Sequence, residues 1–286
     1  MKIVRIGIHG EEKLGVLTVD NRFIDVSDLF DGQDRNYLEP AGLDRIALAV
    51  QERHESAVDF DANRVRIGAP IPMPQKIVCI GLNYADHAAE SNMPIPEEPI
   101  VFFKAPNTLV GPFDDVYIPR NSTKTDWEVE LGVVIGSRCR YLSSPKVAAA
   151  NIAGFVVSND VSEREFQLER GGQWVKGKSA ENFNPCGPWL VTPEEIDDVG
   201  SLDLWLDLNG KPQQRGNTKT LIFDVTTVIH YLSQFMVLEP GDLINTGTPP
   251  GVGLGMTPPT YLRAGDVMEL GIEGLGEQKQ NVTAAP

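Results

Sequence analysis

Asp126-Trp127-Glu128-Val129-Glu130-Leu131-Gly132-Val133-Val134-Ile135-Gly136 changes pattern halfway along. Up to Leu131 acidic and apolar residues alternate, and from Gly132 onward the run is apolar. In a strand, the period of two puts Asp126, Glu128 and Glu130 on one face and Trp127, Val129 and Leu131 on the other. Alternation alone would suit a strand with one solvated face. The apolar continuation buries both faces of the same strand, so the glutamates stand at the entrance to a core. Clustered carboxylates there require a compensating cation, and hard oxygen donors favour magnesium, calcium or manganese over zinc, which prefers imidazole or thiolate.

Working outward, KIVCIG, IVFFK, GFVVSND, LDLWLDLNG, DLINTG and DVMELGI are further candidate strands. Helical spacing is confined to 84–92, 144–151 and 225–235 in this part of the chain. Strands outnumber helices and do not alternate with them, which argues against a parallel βαβ sheet. A mainly β fold with some α, barrel-like or rolled, is expected. Before it, short alternating strands around Ile3–Ile8, 15–19 and 23–26 are followed by a helical stretch at 40–57, with Leu43, Ile46, Leu48 and Val50 as its apolar positions. The three prolines of GAPIPMPQ (68–75) read as a linker. The expected organisation is a small β-rich N-terminal domain over 1–70 and a catalytic domain over 71–286.

A third carboxylate, Asp160, ends the apolar strand GFVVSND; alone it would equally suit a helix N-cap. Arg164 and Gln167 follow at i+4 and i+7, on one face if the chain is helical, where Arg164 suits a substrate carboxylate or a surface ion pair. His87 and Glu90 stand three apart, so the carboxylate can fix the imidazole tautomer, a general-base arrangement that an incidental surface pair would mimic. The proline-rich run 91–99 behind them reads as a mobile covering loop. Gly172 to Ser179 formally satisfies GxxxxGK[ST], but it follows a polar segment and runs into prolines, so it is no phosphate loop. Lys178 within it remains a candidate cation beside an oxyanion. The segment 247–255, GTPPGVGLG, lacks dinucleotide spacing, yet its backbone N–H groups and the Thr248 hydroxyl could hold a carboxylate, if it is not purely a structural turn.

The chain has 286 residues, with 40 Asp and Glu against 25 Lys and Arg, a formal charge of −15 that repels nucleic acid from most of the surface. Cys79, Cys139 and Cys186 are odd in number and widely spaced, giving neither a disulfide framework nor a zinc site. The start MKIVRIGIHG lacks a signal-peptide core, and no run approaches the roughly 20 apolar residues of a membrane span. A cytoplasmic protein without nucleic-acid or membrane partners is expected.

Taken in order, IGLNYADHAAE, VGPFDDVYIP, DWEVELGVVIG, NDVSEREFQLERGGQW, GKS with PCGPWLVT, LNGKPQQRGNT and LEPGDLINTGTPPGVG resemble the fumarylacetoacetate hydrolase family, over about residues 76–275. The resemblance implies a mixed β-sandwich roll behind a small N-terminal domain, usually as a homodimer. It implies one Mg2+ or Mn2+ per subunit on Glu128, Glu130 and Asp160, a catalytic His87 with Glu90, and Lys178, Arg164, Gln167 and Thr248 at the substrate. Two departures stand out. No carboxylate lies between Cys79 and Tyr84, where the hydrolase that names the family carries a fourth ligand, and Glu181 stands where an Asp is common. The chain therefore resembles the shorter branch, with 2,4-diketo-3-deoxy-sugar-acid and acylpyruvate hydrolases, oxaloacetate decarboxylases and tautomerases, and hydroxyhepta-diene-dioate isomerases; 159–172 is most similar to the sugar-acid hydrolases. The implied activity is cleavage of a carbon–carbon bond in a small 2-oxo acid with release of pyruvate. A non-catalytic small-molecule binder would have no need of both the metal set and the base.

Overall fold

The computed structural model describes residues 1–30, 34–62, 64–90 and 94–286. Its larger sheet runs, in spatial order, Val58–Asp59, Arg22–Asp25, Lys13–Leu17, Lys2–Ile6, Leu190–Val191, Ile152–Asn159, Val129–Ile135, Leu243–Asn245, Ile77–Gly81 and Ile100–Lys104. Neighbours are antiparallel except Leu243–Asn245 and Ile77–Gly81, which are parallel. A second sheet has the order Lys211–Asn217, Asp203–Leu208, Val267–Ile272, Gly276–Ala284 and Val116–Ile118. The two pack face to face through a shared apolar core, as the mixed β-sandwich that the family resemblance implies.

Strand alternation decides which residues meet in this sandwich. Trp127, Val129, Leu131 and Val133 point into a shared core with Leu204, Leu206, Met268 and Leu270 of the second sheet. The helix Val225–Ser233 closes that core with Val228, Ile229 and Leu232. From the opposite face Val134, Val156, Leu190 and Leu243 join Ile3, Val16, Ile24 and Ile46 of the first part of the chain. Glu130 lies between Val129 and Leu131 and so belongs to this second face.

The first part of the chain is not a separate layer. Lys2 pairs with Val191 and Ile3 with Leu190, so the N-terminal strands prolong the catalytic sheet. The proline stretch read as a linker is packed: Gly68 to Pro72 are buried, and the Tyr37 hydroxyl donates to Pro70 O at 2.7 Å. In the helix Pro40–Arg53 the inward stripe is Gly42, Ile46 and Ala49, while Leu48, expected on it, is 60% exposed. Close packing of Gly42 on the Tyr37 backbone sets that rotation.

Two strands escape an apolar reading because they bury glutamine. Gln214 in Lys211–Asn217 accepts from Val129 N at 3.0 Å and donates to Thr248 Oγ1 at 2.8 Å. Gln278 and Gln280 in Gly276–Ala284 donate to Val157 O and Pro112 O at 2.7 and 2.6 Å. Each amide satisfies backbone groups that the sandwich would otherwise leave unpaired. Among the described residues no helix is long and apolar enough to cross a membrane, and the three cysteines are free and buried.

Candidate active site

The register of two central strands assembles the carboxylates. Val129 pairs with Asn159 and Glu130 with Ser158, and Asp160 N donates to Glu128 O at 2.9 Å, carrying the ladder one step further. Glu128, Glu130 and Asp160 therefore share one face. One carboxylate oxygen from each lies within 4.8 Å of the others, and all three residues are buried. Asp126, next in the alternation, leaves this group because the strand is interrupted at Trp127 and Glu128. Its carboxylate turns instead to Gly253 N at 2.7 Å, Leu254 N at 2.9 Å and Arg164 Nε at 2.8 Å.

Three buried cations face these acids. Lys178 Nζ donates to Glu128 Oε2 at 2.7 Å and Asp160 Oδ2 at 2.8 Å. Lys104 Nζ donates to Asp160 Oδ1 at 2.5 Å and to Val161 O at 2.9 Å. Arg164 Nη2 lies 2.7 Å from Glu128 Oε1 and 2.8 Å from Asp126 Oδ2. Burial alone would raise Glu128, but the Lys178 and Arg164 charges overcome it and hold its pKa at about 2. Glu130 goes the other way. Burial, then repulsion from Asp160 and Glu128, pushes its carboxyl well above the ordinary range, and Gly247 N is its donor at 2.8 Å. Burial depresses Lys178, yet Asp160 and Glu128 more than reverse this and raise it; Lys104, buried and repelled by Lys178, stays lowered despite Asp160.

This donor set fits a hard divalent cation. It offers three carboxylates without sulfur or imidazole, and among the described residues Glu130 is a buried acid in no ion pair, where Lys178 offsets burial and the neighbouring acids only in part. Magnesium or manganese would be held by Glu128, Glu130 and Asp160.

Lys178 reaches the acids from the short helix Val175–Lys178 because residue 177 is glycine. A Cβ there would lie 2.5 Å from Gln167 Cβ and from Glu163 O, so only glycine lets the helix sit on the 163–167 segment. The GxxxxGK match thus marks a close approach and not a phosphate cradle. Lys104 went unnoticed in the sequence as the end of an apolar strand. Its signal was there: it follows Ile100 and Phe102 on the same strand face, where lysine is rarely buried unless paired.

The stretch after Asp160 is not the helix expected from its spacing. Ser162–Glu163 pairs with Thr125–Asp126 as strand, and only Glu165–Glu169 turns, as a π-helical segment. Arg164 consequently points back to Asp126 and Glu128 and not along a helix from Asp160. Gln167 still meets it, with Arg164 Nη1 donating to Gln167 Oε1 at 3.1 Å.

His87 and Glu90 lie on the helix Ala85–Glu90, and His87 Nδ1 is 3.1 Å from Glu90 Oε2. Asn83 roots this helix by donating to Phe223 O and Thr246 O at 3.0 and 2.8 Å. At the far end Gly251 N donates to Glu90 at 3.2 Å, and Gly251 O accepts from Trp127 Nε1 at 3.1 Å. The loop 247–254 therefore touches the dyad, Glu130 and Asp126 together. Thr248 is buried in it; its hydroxyl donates to Val129 O at 2.9 Å and accepts from Gln214. The covering loop expected over 91–99 begins in residues 91–93, which lie outside the described residues; beyond them Glu98 accepts from the Tyr231 hydroxyl at 2.8 Å.

Known proteins resemble this chain in sequence and fold. Residues 76–283 match the family described as fumarylacetoacetate (FAA) hydrolase C-terminal. A Burkholderia multivorans protein, named no more finely than a hydrolase, is 50% identical over the whole of both chains. The solved maleylpyruvate hydrolase of Sphingobium sp. SYK-6, in complex with manganese(II) and pyruvate, is 26% identical over all of both chains, with a TM-score of 0.82. The 2-hydroxyhepta-2,4-diene-1,7-dioate isomerase of Mycobacterium marinum is 30% identical over 99% of this chain and 98% of its own, with a TM-score of 0.74. With the match spanning most of its length, the chain belongs to the fumarylacetoacetate hydrolase family.

Proposed function

We propose that this chain is a magnesium- or manganese-dependent hydrolase that cleaves a carbon–carbon bond of a small 2,4-diketo acid, of the acylpyruvate or diketo-deoxy-sugar-acid type, to release pyruvate. The observation that carries this reading is a buried three-carboxylate centre joined through one loop to an imidazole–carboxylate pair. The manganese and pyruvate of the solved maleylpyruvate hydrolase support it. Bound at the carboxylates, the metal would supply Lewis acidity towards the 2-oxo acid.

The chain's own residues do the rest. Glu90 accepts the Nδ1 proton of His87, leaving Nε2 to take a proton from water as its oxygen adds to the 4-carbonyl. Among the described residues Lys178 gives two of its three N–H bonds, to Glu128 and Asp160, and the third is assigned to the developing oxyanion. Collapse restores the carbonyl and breaks the C3–C4 bond, and the proton held by His87 goes to C3 to give pyruvate and the shorter acid. Arg164, Gln167 and Thr248 are assigned to the substrate's carboxylate and hydroxyl groups.

A second reading is favoured by the isomerase neighbour. Without a placed water, the same dyad moves a proton between carbons as an isomerase, and the same centre serves oxaloacetate decarboxylation or tautomerisation. Pyruvate release from a panel of 2,4-diketo acids and oxaloacetate, with each metal, tests the proposal. Diketo-acid turnover abolished by chelator supports it, whereas isomerisation of a dienedioate with no hydrolysis selects the second reading.

A further inference from the structure

We propose that Asp126 is a positioning residue that couples the carboxylate centre to the His87–Glu90 pair through the glycine loop 251–255. The proposal rests on the assignment of that pair as the catalytic base.

Asp126 is wholly buried and uses both oxygens. Oδ1 accepts from Trp127 N at 2.8 Å and Gly253 N at 2.7 Å; Oδ2 accepts from Leu254 N at 2.9 Å and Arg164 Nε at 2.8 Å. On one side it fixes the guanidinium that also reaches Glu128 at 2.7 Å. On the other it fixes a loop whose Gly251 N, two residues away, holds Glu90.

The loop is tight enough to transmit position. Gly251 has φ +101°, and a Cβ there would meet Gln213 O at 2.1 Å; a Cβ at Gly253 would meet Thr260 O at 1.9 Å and Asp126 Oδ1 at 2.8 Å. At Gly255 a Cβ would approach the Glu90 carboxyl carbon to 3.2 Å. Trp127, covalently next to Asp126, closes the circuit through Nε1–H to Gly251 O at 3.1 Å. Two carboxylates, Asp126 and Glu90, therefore grip the same short backbone from two sides. A carboxylate placed only to balance Arg164 would need no donors from that loop.

Asparagine at 126 keeps the shape but has one oxygen, so it cannot accept all four donors and leaves Arg164 without that countercharge. The test uses the full chain loaded with Mg2+. The imidazole 15N shifts of His87, assigned against His87→Ala, report its tautomer at one fixed pH in wild type, Asp126→Asn and Glu90→Gln. Asp126→Asn is expected to move the His87 signal towards that of Glu90→Gln. It is also expected to lower kcat about 10- to 100-fold, the usual effect of losing an outer partner, with KM little changed. Combining it with Glu90→Gln should add no further loss. Trp127→Phe, which removes the Nε1 donor together with part of a fully buried ring, should shift the same signal in the same direction, and it serves if Asp126→Asn does not fold. An unmoved His87 signal in the folded variants, or losses that multiply in the double variant, overturns the proposal. Because the NMR arm needs no turnover, a moved signal in a chain that releases no pyruvate overturns the hydrolase reading and leaves the coupling standing.

Discussion

Glu128 and Glu130 are two residues apart on one chain segment, yet the fold treats their protons in opposite ways. Glu128, matched to Lys178 and Arg164, is ionised down to about pH 2; Glu130, buried beside two other acids, is driven towards its neutral form. The consequences for stability have opposite signs. The contribution of Glu128 is present above the ordinary 4.5 and is lost as pH falls towards 2. That of Glu130 is present below 4.5 and is lost as pH rises, because the unfolded chain then ionises more readily. A divalent cation needs the ionised carboxylate, so its gain should grow with pH. The rise in Tm on adding Mn2+ is expected to be larger at pH 8 than at pH 5; an equal rise at both would show that Mn2+ displaces no proton from the site over that range. His87 gives a second expectation at this scale. General-base catalysis contributes about 100- to 10,000-fold, so His87→Ala should lower diketo-acid hydrolysis by that factor and oxaloacetate decarboxylation much less. The ratio of the two rates at fixed metal is the measurement, and an equal fall in both would place His87 in a step common to the two reactions. Glu128 and Glu130 were placed together by strand alternation, whereas the departure of Asp126 was not legible, because it follows from the interruption of the strand at Trp127 and Glu128. Lys104 and the turn of Arg164 towards Asp126 were not, since each depends on partners distant in sequence.

At the scale of elements, the helix Val225–Ser233 shows what local chemistry fixes. Asp224 caps it, accepting from Thr227 N at 2.7 Å and Thr226 Oγ1 at 2.9 Å, and these bonds outweigh burial to hold its carboxyl below the ordinary 3.8. Asp224→Ala should cost about 1 kcal/mol in a denaturant titration. Since the pKa is lowered, that difference is present above pH 3.8 and shrinks as pH falls below it; a difference constant down to pH 2 would assign the loss to packing. This helix was readable from apolar spacing, as were the strands Ile77–Gly81, Ile152–Asn159 and Val267–Ile272. Lys211–Asn217 and Gly276–Ala284 were not, because Gln214, Gln278 and Gln280 face inward on them, satisfied by partners distant in sequence. The segment after Asp160 misled for a related reason: helical spacing was present, but pairing of Ser162–Glu163 with Thr125–Asp126 outweighed it.

For the whole molecule, the class of fold followed from strands that outnumber helices without alternating with them. The continuity of one sheet from the N-terminal strands into the central ones did not, because it rests on two register pairs, Lys2 with Val191 and Ile3 with Leu190. The homodimer implied by the family remains a proposal with a direct measurement. Sedimentation equilibrium should give twice the 31.3 kDa of one chain, and a single-chain mass at micromolar concentration would reject it. That same sheet also dictates a schedule of synthesis. Lys2–Ile6 has its inner neighbour in Leu190–Val191, so after it is made it waits for almost two hundred residues of translation. At roughly 5 to 20 residues per second, that wait is on the order of ten seconds or more, with one strand edge open throughout. The nascent chain therefore carries that strand with an unpaired edge until residue 191 arrives, the interval in which an open edge invites wrong pairing.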